Sequence, residues 1–239
     1  KKVFSTIRKL QPSIIYSVGM KPVLYSAIAS VFAGFKKNIF ALAGLGYVFT
    51  SNNKSAKLLR PLLEGVFKLI FRGKKKRLIL QNPEDKNALL SANIINPNNV
   101  RLIRGAGVDT QSFNVKPLPS LPPIITLPSR MLWAKGIQDF IVCAKEINKV
   151  SKIARFVLVG SPDVQNPDAI PIEMLEDWNN NGVVEWWGHQ NNMPNVLHQS
   201  TIVCLPTSYG EGLPKCLLEA ASCGRPIVTY DVPGCREIV

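Results

Sequence analysis

Two acidic residues, Glu211 and Glu219, stand eight positions apart where the sequence changes from a strand-like run to a loop and then to a helix. Gly210 and Gly212 flank Glu211, and glycines in such a loop let the backbone approach a ligand closely. The helix starts near Pro214, a residue favoured at the first helical position. Because a helix start offers unpaired N–H groups and a positive dipole end, this segment is a candidate anion site.

Each of the two acids also has a purely structural interpretation. Glu211 could cap the helix, and Glu219 could lie on the helix surface. Glu219, however, falls within the apolar segment Leu-Leu-Glu-Ala-Ala-Ser, where a buried and unpaired charge would be costly. We therefore expect the Glu219 carboxylate to accept hydrogen bonds from a ligand.

Two further groups of polar residues follow strand-like runs. Arg130 and Lys135 come after the run 124–129, at the strand end where open α/β sheets bind ligands. Arginine grips phosphate oxygens bidentately and lysine adds a point charge, although this spacing alone is weak evidence. Gly188, His189 and Gln190 follow the run Val-Val-Glu-Trp-Trp, and we expect His189 to be a hydrogen-bonding loop residue rather than a catalyst. We interpret Trp186 and Trp187 as packing residues.

The elements that must position these residues form a strand–helix alternation. Most of the short aliphatic runs are continuous, as expected for strands buried on both faces of a parallel sheet. Helix-length segments lie between them, including 135–149 and 214–222, so the sequence predicts an α/β protein with two Rossmann-like parallel-sheet domains. The predicted strands are 13–18, 38–43, 77–82, 100–105, 124–129, 155–160, 183–188, 201–206 and 225–230.

A proline-rich stretch separates the two halves of the chain. Residues 112–124 carry four prolines without apolar periodicity, which indicates an extended linker. We therefore predict a first domain over 1–111, a linker over 112–124 and a second domain over 125–239.

Positive charge is concentrated in the first half. The chain of 239 residues carries a net charge of +13, with +16 in residues 1–119 and −3 in residues 120–239. The densest run, Arg72–Arg77, is either a solvated helix end or a contact for anionic headgroups. The apolar segments 22–35 and 39–49 are too short to span a bilayer, so we expect a buried helix followed by a buried strand.

The motif blocks resemble those of family-four retaining glycosyltransferases, which have the GT-B fold. The block from Glu211 to Glu219 is similar to their E-x7-E signature, and Arg130-Met-Leu-Trp-Ala-Lys135 is similar to their donor-phosphate pair. The segment 232–237 also fits, and blocks at 21–26, 44–50, 81–85 and 104–109 resemble the branch that acts on lipid-linked sugars in bacterial glycan assembly. The resemblance covers nearly the whole chain.

The resemblance implies a mechanism. A nucleotide-diphosphate sugar, with UDP as the expected nucleotide, would place its diphosphate on Arg130 and Lys135, its ribose on Glu219 and its transferred sugar on Glu211. Backbone groups of Gly210, Gly212, Leu213 and Lys215 would complete the donor contacts, with the base against Gly188–Gln190. The second domain would bind this donor, and the first domain would supply the acceptor, a glycan or a polyprenyl-diphosphate-linked sugar. The acceptor would attack the donor sugar on the face from which the nucleotide leaves, with retention of configuration.

The chain also departs from the family pattern. The family's glycine-rich loop has no counterpart, and the chain stops before the last family elements, so we expect a fragment in which both domains are incomplete and which could itself be inactive. Tyr16 stands where family members often carry histidine, which puts a histidine-based acceptor role in doubt. Pro214 lacks an N–H, so phosphate contacts would fall to Leu213 and Lys215.

Other classes remain as alternatives at this stage. A nucleic-acid- or anion-binding α/β module would explain the charge, but no nucleic-acid motif accompanies it, so we expect no nucleic-acid partner. A nicotinamide enzyme would need a third glycine after Gly44-x-Gly46 or Gly105-x-Gly107, which we interpret as turns. A GT-B epimerase is a further possibility.

Cofactor and compartment follow from what the sequence contains. It has no Asp-x-Asp motif, two histidines and five scattered cysteines without a Cys-x-x-Cys pair. We therefore expect no metal ion and no cofactor. The scattered cysteines fit a reducing compartment, which indicates a cytoplasmic protein that could sit peripherally on the inner membrane face, in contact with anionic lipid.

Overall fold

The computed structural model describes residues 1–45, 49, 54–73, 75–150, 153–208 and 210–239, and for 54–57 the backbone only. Contacts divide the chain into two units. One comprises Lys1–Gly105 with Gly210–Leu213, and the other comprises Ala106–Tyr209 with Pro214–Val239. Each unit contains a parallel sheet with helices, which confirms the predicted α/β class.

The first unit is built on a sheet in which sequential strands are neighbours, in the order β1-β2-β3-β4. Its central strands are apolar because both faces are covered: Phe40 and Leu78 are fully buried beside Phe67 and Phe71 of a helix. The elements are α1 (Lys2–Leu10), β1 (Ile15–Val18), α2 (Met20–Phe32), β2 (Asn38–Leu42), α3 (Lys54–Phe71), β3 (Lys76–Leu80), α4 (Pro83–Ser91) and β4 (Val100–Leu102).

Helix α2 corrects one expectation. The segment 22–35 was expected to be a buried helix, and it is helical, but only one side of it is buried, through Val23, Ala27 and the small residues beside them. Phe32, on the other side, is 77% exposed. The apolar composition of this segment therefore does not indicate which of its side chains are buried. The apolar segment 39–49 supplies strand β2, which ends at Leu42.

The second unit carries a sheet in the order β7-β6-β5-β8-β9, with all neighbours parallel. Successive crossovers run from β5 toward one edge and from β8 toward the other, so the topological switch point lies between β5 and β8. The elements are β5 (Ile124–Pro128), α5 (Ile137–Val150), β6 (Arg155–Val159), α6 (Ile172–Asn180), β7 (Glu185–Trp186), α7 (Met193–Gln199), β8 (Ile202–Leu205), α8 (Lys215–Ser222) and β9 (Ile227–Thr229).

The proline-rich stretch has no helix or strand before β5, but its backbone carbonyls accept hydrogen bonds from side chains of the second unit. Ser222 Oγ donates to the Phe113 carbonyl at 2.6 Å, and the buried Arg225 guanidinium donates to the carbonyls of Lys116 and Pro117. These bonds fasten the stretch to the second unit, which begins at Ala106. Buried arginine donors supply the carbonyls with partners that an extended chain cannot provide for itself.

Basic residues gather at the amino-terminal edge of the first sheet. Lys36 and Lys37 precede β2, while Arg72 and Lys75 precede β3, and all four are exposed. Lys76 differs, because its Nζ donates to the Ile70 carbonyl at 2.6 Å and burial lowers its pKa. Residues 46–48, 50 and 74 lie outside the described residues. They include Gly46, part of the block 44–50, and Lys74 of the basic run.

The segment that contains Gly105 and Gly107 is a turn, and the described helices are not membrane-spanning. Gly105 and Gly107 both have left-handed φ angles, +63° and +76°, in a segment without helix, so they form the expected turn rather than a dinucleotide-binding helix start. Among the described helices, none combines the length and apolarity that crossing a bilayer requires.

Candidate active site

Three loops meet at the carboxyl edge of the second sheet. The amide of Gly160, after β6, donates to the Gly188 carbonyl, after β7, at 2.8 Å. A Cβ on Gly160 would lie 1.9 Å from the Ser129 carbonyl oxygen, after β5, so only glycine allows this approach. The loops that carry Arg130 and residues 188–190 therefore lie on one edge of the sheet, and the Arg130 loop adjoins the switch point between β5 and β8.

Arg130 projects from this edge into solvent. Its Nη1 lies 2.8 Å from Asp163 Oδ2, and both side chains are substantially exposed. An ion pair this exposed contributes at most about 1 kcal/mol. The guanidinium can therefore exchange Asp163 for a dianionic ligand at small cost.

Lys135 ends a short 3-10 turn, Trp133–Lys135, that is fixed on several sides. The Ala134 amide donates to Asp168 Oδ2 at 2.9 Å, and the Ala134 carbonyl accepts from the Ser208 amide at 3.2 Å. Gly136 follows with φ +76°, and a Cβ there would sit 1.9 Å from the Pro206 carbonyl oxygen. The half-buried Lys135 thus stands on a rigid turn between the ends of β5 and β8.

The loop 188–190 is organised by its own backbone and amides. Gly188 has a left-handed φ of +64°, and Gln190 Nε2 donates to the Trp187 carbonyl at 2.7 Å. His189 is exposed and its Nε2 lies 3.1 Å from Asn191 Oδ1. Trp186 packs at the rim of the core and donates from Nε1 to the Gly160 carbonyl, as its interpretation as a packing residue requires.

Helix α8 supplies the second acid. Glu219 is 6% exposed, and its Oε1 lies 3.2 Å from Nζ of the exposed Lys215, one turn earlier. The sequence did not reveal this partner, which partly neutralises a carboxylate held in an apolar helix. Helix α8 begins at Lys215 with Pro214 at the N-cap, one position before the predicted placement, and no side chain caps it. The Leu217 and Leu218 amides donate to the Pro214 carbonyl at 3.1 and 3.3 Å, so the helix's own hydrogen bonds begin at its third residue.

The glycine loop belongs to the first unit. Glu211 is half-buried, and the carbonyls of Glu211 and Gly212 accept from Asn82 Nδ2 at 3.2 and 3.1 Å. Gly210 and Gly212 are buried. The candidate residues thus fall into two groups. Gly210, Glu211, Gly212 and Leu213 are counted with the first unit, and Arg130, Lys135, Gly188, His189, Gln190, Lys215 and Glu219 with the second.

Three residues that sequence reasoning missed hold parts of this arrangement: Asp163, Asp168 and Asn82. Asp163 lies in the loop that follows β6, so adjacency of parallel strand ends could have placed it near Arg130. Asn82 carries the signal of a helix N-cap, since Pro83 and two acids follow it. Its second contact, over 129 residues of chain, has no local signal.

A metal site does not emerge from the part of the chain that the structure describes. No three His, Cys, Asp or Glu side chains in it group in a way that could hold an ion. The absence of a metal requirement stays a prediction.

The architecture matches solved glycosyltransferases. The chain aligns over its whole length, and 64% of theirs, with structures of Anabaena HepE, at 18% identity. The TM-score is 0.77 for the complex with UDP and glucose and 0.76 for the complex with UDP-glucose. At this identity the likeness defines the fold, which is GT-B.

Two family models match separate parts of the sequence. The model for glycosyl transferases group 1 matches residues 122–239, and the model for glycosyl transferase 4-like proteins matches residues 1–82. Both models describe glycosyltransferases, which confirms the resemblance to glycosyltransferases that the motif blocks indicated.

Two curated relatives are similar along nearly the whole chain. One is the N,N'-diacetylbacillosaminyl-diphospho-undecaprenol alpha-1,3-N-acetylgalactosaminyltransferase of Campylobacter jejuni subsp. jejuni serotype O:2, 27% identical over 98% of this chain. The other is the UDP-Gal:alpha-D-GlcNAc-diphosphoundecaprenol alpha-1,3-galactosyltransferase of Escherichia coli, 26% identical over 97%. The chain spans 62% and 61% of their lengths.

Proposed function

We propose that this protein transfers a sugar from a UDP-sugar to a polyprenyl-diphosphate-linked glycan. The observation that carries the proposal is the cationic edge at the β5–β8 switch point, with Arg130 and Lys135, in a chain that matches glycosyltransferase family models. Both relatives named above carry an undecaprenol-diphosphate acceptor in their names, and one names UDP-Gal as the donor. UDP is also the ligand of the Anabaena structures.

The donor diphosphate is assigned to three features of the second unit. Arg130 exchanges Asp163 for phosphate oxygens, Lys135 supplies a point charge, and the first amides of α8, beginning at Lys215, add backbone donors. Together they stabilise the charge that develops on the leaving UDP, so they contribute more in the transition state than in donor binding. The base is assigned to the loop 188–190.

The two acids are assigned different parts of the donor. Glu219 accepts from the ribose hydroxyls, with Lys215 holding the carboxylate in place. Glu211 accepts from hydroxyls of the transferred sugar. The names of both relatives specify α-1,3 linkages, and an α-linkage formed from an α-linked UDP-sugar retains configuration. We assign this retention to attack by the acceptor on the face from which UDP leaves. No side chain is assigned as a covalent nucleophile.

The acceptor assignment brings the protein to a membrane. A polyprenyl chain stays in lipid, so the exposed basic residues at the amino-terminal edge of the first sheet are assigned to anionic headgroups on the cytoplasmic face.

Calorimetry with UDP tests the phosphate assignment in the intact protein. Arg130→Ala and Lys135→Ala each remove a charged hydrogen bond, so UDP affinity should fall about tenfold or more and turnover further. Lys149→Ala removes an exposed lysine that pairs with Glu146 on α5 and serves as the control. Wild-type affinity and turnover in both site variants would remove the assignment.

A further inference from the structure

The loop that carries Glu211 packs tightly within the first unit, against the end of β2. A Cβ on Gly212 would lie 2.5 Å from the Ala43 carbonyl carbon, and one on Gly44 would lie 2.4 Å from the Gly210 carbonyl oxygen. No side chain larger than hydrogen fits at either position without displacing backbone. The loop 210–212 therefore has a defined seat at the carboxyl edge of the first sheet.

Asn82, just beyond β3, is the polar anchor of that seat. Its side chain is fully buried, and its Nδ2 lies 3.2 Å from the Glu211 carbonyl oxygen and 3.1 Å from that of Gly212. Hydrogen bonds from a buried amide to two successive carbonyls fix the orientation of the peptide between them. This peptide begins at the residue whose side chain is assigned to the transferred sugar.

The direction of the Asn82 amide is determined by Asp85. The Asp85 main-chain N–H donates to Asn82 Oδ1 at 2.7 Å, and Asp85 Oδ2 accepts from Asn82 Nδ2 at 3.1 Å. The two N–H groups of Asn82 Nδ2 are therefore shared among three acceptors. Reversing the amide would place oxygen against the carboxylate and both carbonyls, and NH2 against an N–H donor. Four contacts therefore agree on one orientation, in which the donating end faces the loop.

We propose that Asn82, oriented by Asp85, is a positioning residue that holds the Glu211–Gly212 peptide and thereby sets where the Glu211 carboxylate meets the transferred sugar. The role in transfer rests on the proposed function, whereas the hold on the loop is independent of it.

The competing interpretation is that Asn82 only caps helix α4. The two roles use opposite ends of the amide, because the oxygen caps and the nitrogen reaches the loop. Asn82→Ser separates them, since serine is also a favoured N-cap but has no NH2 group to donate to the two carbonyls. Asn96→Ser is the matched control: Asn96 caps the short helix Pro97–Asn99 by accepting from the Asn98 amide at 2.9 Å.

The test compares three measurements on the intact wild-type and variant proteins: hydrogen–deuterium exchange of the 207–217 segment, UDP affinity, and kcat with a UDP-sugar. For Asn82→Ser we expect faster exchange in that segment, UDP affinity within about twofold of wild type, and kcat lowered about tenfold. Asn96→Ser should leave all three unchanged. A role limited to stability would not separate kcat from UDP affinity.

Two outcomes overturn the proposal. Wild-type exchange in Asn82→Ser means that the amide does not hold the loop, and faster exchange with wild-type kcat means that the hold does not position Glu211. If the wild-type protein transfers no sugar from any UDP-sugar, the proposed function has failed, and the exchange measurement alone decides whether Asn82 holds the loop.

Discussion

At the scale of single residues, the two acids of the E-x7-E block have different surroundings and should fail differently. Glu219 is buried and paired with Lys215, whereas Glu211 is half-buried on a glycine loop. Glu219→Gln should weaken UDP binding because ribose is present with or without the sugar. Glu211→Gln should spare UDP binding and lower transfer. Calorimetry and a transfer assay on both variants give the comparison, and identical behaviour of the two variants would contradict the division of roles.

Asp85 makes stability depend on pH. Burial raises the pKa of the Asp85 carboxyl to about 6, and the charge of Glu84 adds to this, while hydrogen bonds from Asn82 and the Leu45 amide oppose it. Between the unfolded pKa, near 4, and about 6 the folded state keeps a proton that the unfolded state has released. The stability that this proton provides is therefore lost as pH rises through about 6.

Asp85→Asn removes this titration and keeps the size of the side chain. Relative to the variant, the wild-type free energy of unfolding should fall by on the order of 2 kcal/mol between pH 4 and pH 7. Urea unfolding of the wild type and the variant at both pH values measures this change. Taking the difference between the two proteins cancels the contributions of the other carboxylates. A difference that does not change with pH would mean that Asp85 titrates normally.

At the scale of elements, the turn that carries Lys135 depends on a glycine. Gly136→Ala adds a Cβ 1.9 Å from the Pro206 carbonyl oxygen at a φ of +76°, which combines left-handed strain with overpacking. We expect a loss of about 3 kcal/mol in the free energy of unfolding. Gly182→Ala is the control, because its φ is +66° but nothing lies within 4 Å of the added Cβ. It should lose only about 1 kcal/mol, and equal losses would mean that the close approach is unimportant.

The elements themselves were largely predictable. All nine strand-like runs contain strands. The central ones are apolar because both of their faces are covered, as in β6, where Phe156–Val159 are buried. The face of α5 was predictable for the same reason: Ile137, Phe140, Ile141 and Ala144 recur at helical spacing and are buried. The exposure of one side of α2 was not predictable, because an apolar helix with one exposed side has the same composition as a fully buried one.

The candidate site was predictable only as far as strand ends show it. Arg130 and Gly188 follow β5 and β7, so parallel topology alone brings their loops to one edge. Adjacent strand ends could also have placed Asp163 near Arg130, but the contacts of Asp168 and Asn82 were hidden, because they join residues 34 and 129 positions apart. Loop-to-loop hydrogen bonds over such separations leave no periodic pattern in a single sequence.

At the scale of the whole molecule, the charge asymmetry predicts salt-dependent binding to anionic lipid. Exposed Lys36, Arg72 and Lys75, with the half-buried Lys76, line a cleft of about 450 Å³ at the amino-terminal edge of the first sheet. Flotation of the intact protein should require anionic vesicles. It should decrease as salt rises, because salt screens the attraction between charges more than about 8 Å apart at physiological ionic strength.

A pair of charge-reversal variants localises that binding. Arg72→Glu with Lys75→Glu should abolish most flotation, whereas Lys145→Glu with Lys149→Glu, on exposed positions of α5 in the second unit, should not. Equal flotation on neutral and anionic vesicles, or none on anionic vesicles at low salt, would contradict the membrane assignment.

We propose that the protein moves a sugar from a UDP-sugar to a polyprenyl-diphosphate-linked acceptor with retention of configuration. The direct measurement is to incubate the intact protein with a panel of UDP-sugars and an undecaprenyl-diphosphate-linked sugar, and to follow UDP release and the linkage formed by NMR. We predict acceptor-dependent UDP release, an α-linked product from an α-linked donor, and loss of both in Lys135→Ala. Folded protein that gives no product with any UDP-sugar, or equal product in the variant, would contradict the claim, and a β-linked product would contradict retention.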